Sequence, residues 1–252
     1  MNIKLKTTLL SLLFFATILN ANNNTLQEKL DKLIIATEDY PPISFKNKNG
    51  KADGLASQVA YAIMQNLNMK QKINVWPWAR DYKLLQKGPN YLVFSVSRTK
   101  ERDKKFQWVG PIYSMTTGFY TKKNSPIKIN NLDDAKKLDK IGTYLASFDE
   151  QFLKSHQFKN LESTRNNILN IKKLVRDRFD VITATNVTIK AMVEKAGYSM
   201  DNFENKYNFL RVGVYFAFSK EVPFEVVDIW RKELEKLRNS GKLYQIRKQW
   251  LQ

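Results

Sequence analysis

The side chains that could do chemistry in this 252-residue chain form a short inventory, because it has no cysteine and one histidine. Without cysteine there is no disulfide, thiolate metal site, thiol nucleophile or lipid-modified N-terminal Cys. His156 lies in the polar stretch Ser155-His156-Gln157, which reads as helix surface. Neither a multi-histidine metal site nor a serine triad assembles around it, so no metal and no cofactor is expected. What remains are groups suited to binding. Arg102 carries a guanidinium whose parallel donors fit a carboxylate, each such charged bond being worth about 1.5–3 kcal/mol; the plainer alternative is a surface arginine within the charged run Glu101-Arg102-Asp103. Polar and aromatic residues follow successive apolar runs: Glu38 and Tyr40, then Trp78 and Arg80, then Ser95 and Ser97, which strand alternation places on one side. Glu38 and Asp149 are the acids available for general acid work.

Those runs imply the elements that hold the candidates. Leu33–Thr37 is a short apolar run suited to a buried strand, ending before Glu38 and the paired Pro41 and Pro42. Leu55, Val59, Ala62, Ile63 and Leu67 recur at helical spacing. Strands are expected at 72–75 and, from its aromatic and branched residues, at 91–97. The first hundred residues therefore read β-α-β-α-β, the pattern of a layered α/β domain with parallel strands. A second unit follows Phe119-Tyr120-Thr121, with a helix at 132–138, a strand at 141–144, a helix at 168–178 and a strand at 179–183. A strand at 211–219 and two helices, about 223–239 and from 242 on, close the chain.

Composition narrows the partners. With 43% hydrophobic and 12% aromatic residues the chain can bury a core, which excludes global disorder. The formal net charge of +18 first suggests nucleic acid. Yet only 10 of the 42 basic residues are Arg, and the basic residues lie singly or in pairs. Nucleic-acid readers favour and concentrate Arg, so nucleic acid is not expected as a partner; an anionic ligand or membrane surface is compatible with the charge. Residues 1–21 read as an export signal. Lys4 and Lys6 precede an uncharged apolar stretch, Thr7 to Leu19, that is shorter than the roughly 20 residues of a membrane span. Export to the periplasm is expected.

Five local motifs in order carry a family resemblance. Ile35 to Pro42 (IATEDYPP), Gly50 to Ala56 (GKADGLA), Ser97 to Tyr113 (SRTKERDKKFQWVGPIY), Phe179 to Ile182 and Ser240 to Trp250 resemble segments of the periplasmic solute-binding proteins of family 3, the polar amino-acid-binding type that feeds ABC transporters. The resemblance covers about residues 32–251. It implies an α/β clamshell of type II, each lobe a mostly parallel sheet flanked by helices. Lobe 1 would comprise 32–120 plus 213–252, with lobe 2, 121–212, inserted. Hinge strands would lie near Gly118–Lys122 and Arg211–Val214, and ligand would sit between the lobes at the carboxyl ends of strands. By the same resemblance Arg102 grips a ligand carboxylate, Ser95 and Ser97 line the cleft, and Glu38 and Tyr40 are first-loop contacts. Trp78 is an apolar contact, and Tyr144, Ser147 and Phe148 form the second-lobe ligand loop. Arg80 has no clear counterpart and is expected to add a second positive group.

The resemblance is incomplete at one point. Where amino-acid binders carry an acid for the ligand ammonium, this chain has Thr185, with Asn186 beside it. Glu38 or Asp149 must then supply the charge, or the ligand is a different carboxylate-bearing molecule. The function implied is capture of a small carboxylate-bearing solute by a non-catalytic monomer that delivers it to an ABC permease in the membrane. The alternatives are a ligand-presenting sensor and a cyclohexadienyl-dehydratase-like enzyme on the same fold.

Overall fold

A computed structural model describes residues 25–251; the export segment expected at 1–21 lies outside them. Helix α1 (25–31) leads into β1 (Ile34–Thr37), in which Ile35, Ala36 and Thr37 are buried. Strands buried on both faces belong inside a layered sheet. A small hairpin, β2 (Phe45–Lys46) with β3 (Ala52–Asp53), then turns the chain into α2 (Leu55–Asn66). The turn requires glycine: Gly54 has φ +105°, and a Cβ there would lie 2.7 Å from the carbonyl oxygens of Pro42 and Ile43. Those carbonyls accept the first helical N–H groups, from Leu55 and Ala56, which ties the Tyr40–Pro42 loop to α2. After β4 (Ile73–Val75), α3 (Trp78–Lys87) and β5 (Tyr91–Ser97), β1 lies between β4 and β5, parallel to both.

The short helix α4 (Lys100–Asp103) is followed by β6 (Gln107–Lys122), one continuous strand of 16 residues. The second half then runs α5 (Leu132–Lys136), β7 (Ile141–Tyr144), α6 (Phe148–Ser155), β8 (Leu161–Thr164), α7 (Asn167–Val175), β9 (Val181–Thr185) and α8 (Ile189–Lys195). Its β7 lies between β8 and β9, again parallel to both. A second 16-residue strand, β10 (Phe203–Phe218), returns beside β6, and α9 (Phe224–Asn239) and α10 (Lys242–Trp250) finish the chain. The sheet order is β4-β1-β5-β10-β6-β9-β7-β8.

Each half is a sheet covered on both faces. In the first, α2, α9 and α10 bury Leu55, Val59, Ile63 and Trp230 against Phe94, Phe216 and Phe218, while α3 packs Trp78, Tyr82 and Leu85 on Val93, Val96 and Ala217. In the second, α7 and α8 cover one face through Ile171, Leu174, Ile189 and Met192, and α5 and α6 the other through Ala135 and Leu153. Strand β5 pairs with β10 from Val214 onward, and β9 pairs with β6 from Thr117 onward. Over 114–116 and 211–213, β6 and β10 have only each other as strand partner, with Asn186 bonded to Thr116 and Arg98 N donating to the Gly213 carbonyl at the two ends.

Candidate functional site

The halves meet around a cavity at the carboxyl ends of β1, β5, β7 and β9. Arg102 is its most confined cation. One short helical turn after β5 leaves Glu101 and Asp103 exposed and turns Arg102 inward, to 1% exposure. Its guanidinium carbon lies 5.0 Å from the ring centre of Trp78 and 4.8 Å from that of Tyr82, both on α3, a placement that favours a cation electrostatically. Nε donates to Gln151 Oε1 at 3.0 Å, Nη2 to the Ala146 carbonyl at 3.1 Å and Nη1 to the Ser97 carbonyl at 3.4 Å. A guanidinium has five N–H groups, so donors remain for a ligand. The surface reading of Arg102 does not hold; it is Arg98 that pairs with Asp103.

Ser95 and Ser97 reach the cavity by a different route from simple alternation. Ser95 has φ +66°, and the β5–β10 register slips between Tyr215 and Ala217. This bulge re-aims the side chain, whose hydroxyl shares a 3.0 Å hydrogen bond with that of Ser44. Glu38, the residue after β1, is 7% exposed and its Oε2 has no protein partner. Burial, followed by the nearby Asp81, pushes its carboxyl up to about 8, despite the opposing influence of Arg102 and Tyr144. Asp81 on α3 is fully buried, with neither carboxylate oxygen bonded, and burial raises it to about 8 as well. Burial therefore favours the protonated form of both acids.

The opposing wall is organised around the turn from β7 into α6. Ala146 has φ +61°, and its carbonyl accepts from Trp78 Nε1 at 2.7 Å, Arg102 Nη2 at 3.1 Å and Gln151 Nε2 at 3.1 Å. Ser147 caps α6 by accepting from Glu150 N, and Glu150 in turn accepts from Ala146 N at 2.6 Å. The Tyr144 hydroxyl accepts from Trp78 N at 3.3 Å, and Phe148 packs into the first half's core. Asp149, 6% exposed, accepts from the Thr183 hydroxyl; burial raises its pKa while Ser147 and Thr183 pull it down. Burial likewise raises the Tyr40 hydroxyl, with Thr188 and Thr185 opposing.

Ten of the expected residues line this one cavity: Glu38, Tyr40, Trp78, Ser95, Ser97, Arg102, Tyr144, Ser147, Phe148 and Thr185. Arg80 does not. It is exposed, its guanidinium 4.0 Å from the Trp76 ring centre, because the first turn of α3 that buries Trp78 and Asp81 points residue 80 away. Asn186 is also outside, exchanging hydrogen bonds with the backbone of Thr116 on β6. Thr185 is the last residue of β9, its hydroxyl 2.9 Å from that of Thr188. The cavity further includes Met115, Thr117, Asp149, Asn167, Thr183, Ala184 and Met192. Asp149 was legible: Ser147-x-x-Glu150 is a capping-box spacing that fixes where α6 starts and so which first-turn residue faces in. Met115 and Thr117 lie on β6, whose course the sequence patterning does not reveal. Among the described residues no cluster of three or more His, Cys, Asp or Glu is placed to hold a metal ion.

A two-half α/β molecule with a polar and aromatic cleft between parallel sheets has the architecture of a periplasmic-binding-protein-like fold. The family model of the bacterial extracellular solute-binding proteins, family 3, matches residues 33–252, and the chain belongs to that family. It is 23% identical over 254 residues to the arginine-binding extracellular protein ArtP of Bacillus subtilis (strain 168), covering 94% of this chain and 92% of that protein. It is 28% identical over 111 residues to a probable amino-acid ABC transporter-binding protein of Haemophilus influenzae, a match spanning 43% of each chain. Three solved structures share the fold. A histidine kinase sensor domain has a TM-score of 0.79 at 19% identity, covering 87% of this chain and 96% of the other. An ancestral arginine-binding protein bound to arginine has 0.76 at 22%, covering 88% and 100%. An ancestral amino-acid-binding protein, described as a precursor of cyclohexadienyl dehydratase, has 0.75 at 24%, covering 90% and 99%.

Proposed function

We propose that this chain is an extracytoplasmic binding protein that captures an amino acid or related carboxylate-bearing solute by its carboxylate and hands it to an ABC permease, without catalysis and as a monomer. One observation carries the reading: Arg102, buried and bracketed by Trp78 and Tyr82, lines the same cavity as Asp149 from the opposite half. Arg102 would take the carboxylate. Asp149 would take the ammonium that the uncharged Thr185 cannot, with Glu38 able to join once it ionises. Ser95 and Ser97 would complete the floor, and Tyr40, Trp78, Tyr144 and Phe148 would enclose the apolar part. The stretches 114–116 and 211–213, with only each other as strand partner, support a hinge there, dividing lobe 1 from the inserted lobe 2 a few residues earlier on β6 than 120. Ligand favours closure by the extra contacts it makes in the closed state.

The test is a thermal-shift and calorimetric screen against amino acids and simple carboxylates, with Arg102→Ala and Arg102→Lys checked for folding by circular dichroism. Folded Arg102→Ala should lose at least about 100-fold in affinity, the equivalent of one paired charged hydrogen bond. Undiminished binding would remove the assignment, and turnover of any bound carboxylic acid would favour the dehydratase-like alternative.

A further inference from the structure

A second cavity adjoins the first at its mouth. Tyr144, Asn167 and Met192 line both, so the two share a wall. Their sizes differ greatly: about 30 Å³ inside and about 400 Å³ outside. With the halves in contact the inner space holds two or three waters, at about 10–15 Å³ each. That suits a charged head group and little more. A longer ligand seated on Arg102 would extend past Tyr144, Asn167 and Met192 into the outer space.

The outer walls state what would suit them. Lys46 on β2 and Arg165 before α7 come from opposite halves, are exposed, and form no ion pair among the described residues. The acid present, Asp39, is already bound by Lys195 at 2.7 Å. Trp76 adds a half-buried ring whose other neighbour is the Arg80 guanidinium. An unneutralised positive lining of this kind attracts anions, and the planar guanidinium matches a carboxylate.

We propose that this outer cavity is a second subsite of the cleft, which takes the distal carboxylate of an elongated amino acid through Arg165 and Lys46, with Trp76 along the spacer. The inference rests on the proposed function for the head group and extends it to ligand length and far-end charge. Three probes with one head separate the ideas by calorimetry: L-glutamine, γ-L-glutamylglycine and γ-L-glutamylglycinamide. The acid should bind about tenfold more tightly than its amide at low salt, less so at high salt because the contacts are exposed. In the double variant R165A/K46A that preference should fall to within about twofold, whatever the absolute affinities. Equal affinity for acid and amide in the unaltered protein overturns the subsite while leaving the amino-acid reading intact. So does a preference that survives in the double variant. Binding of none of the three overturns the subsite as well, while the amino-acid reading stands or falls by the wider screen above.

Discussion

The two walls of the inner cavity treat their polar groups in opposite ways. In the second half the acid Asp149 is answered by Thr183 and Ser147 by Glu150 N, with Thr117 Oγ1 the buried exception. In the first half Glu38 Oε2, on the cavity wall, and behind it both oxygens of Asp81 and the Tyr82 hydroxyl are buried without partners among the described residues. Buried groups left unanswered raise the free energy of the folded state. Glu38, on the cavity wall, also keeps hydrogen-bonding capacity that another molecule can use. The contrast separates the two walls: the first carries the unanswered acid Glu38, and in the second the acid Asp149 is already bonded.

Substitutions can break or sharpen that contrast. The largest effect should come from Trp78→Ala in the first wall, which removes a buried ring, its stacking on Tyr82 and its bond to Ala146. Denaturant unfolding should show a loss of about 3–5 kcal/mol. A loss under 1 kcal/mol would mean that the two walls do not depend on each other through this ring.

Next comes the pH response of Glu38. A carboxyl raised from 4.5 unfolded to about 8 folded binds more protons in the native state between those values. The stability this gives is complete below about 4.5 and is lost as pH rises to about 8. Glu38→Gln mimics the protonated acid. It should therefore gain on the unaltered protein by up to ~1.4 kcal/mol per pH unit across that window, read from unfolding curves at pH 5, 6.5 and 8. Parallel curves for the two proteins would show that Glu38 is ionised at pH 7 and that the first wall is less strained than described.

On the second wall, Asp149→Asn can keep the bond from Thr183. It should weaken amino acids about tenfold in calorimetry while leaving simple carboxylates within twofold; an equal loss for both classes would remove the ammonium role. The smallest effect belongs to Lys195→Ala. The Lys195–Asp39 pair joins the halves but both side chains are about half exposed, and such pairs contribute about 0–1 kcal/mol. A shift in Tm of more than a few degrees would give the rim an importance that the contrast denies it.

Much of this architecture could be read from the residues, and the failures follow a physical rule. Strands buried on both faces, such as Ile34–Thr37 and Tyr91–Ser97, announce themselves as apolar runs. The first part of β10 does not. There the strand pairs with β6 alone, and although Phe203, Tyr207 and Phe209 pack against the cores, Glu204, Asn205, Lys206 and Asn208 between them leave no clear periodicity to detect. β6 is hidden too, because Gly110 and Pro111 look like a break. The cavity residues carried on β6, Met115 and Thr117, stayed hidden with it. Residues that follow readable strands line the cavity, while Arg80 and Asn186 lie outside it by one step of a helical turn or strand end.

The shared pair of long strands has a further consequence. Thr116 on β6 sits opposite Arg211 on β10, so the chain departs and comes back at neighbouring points. Everything from 117 to 210 could in principle be cut out and the ends rejoined by a tight turn. The order β4-β1-β5-β10-β6 would be left uninterrupted, so the remaining piece is a natural starting body onto which a different capping half could be grafted.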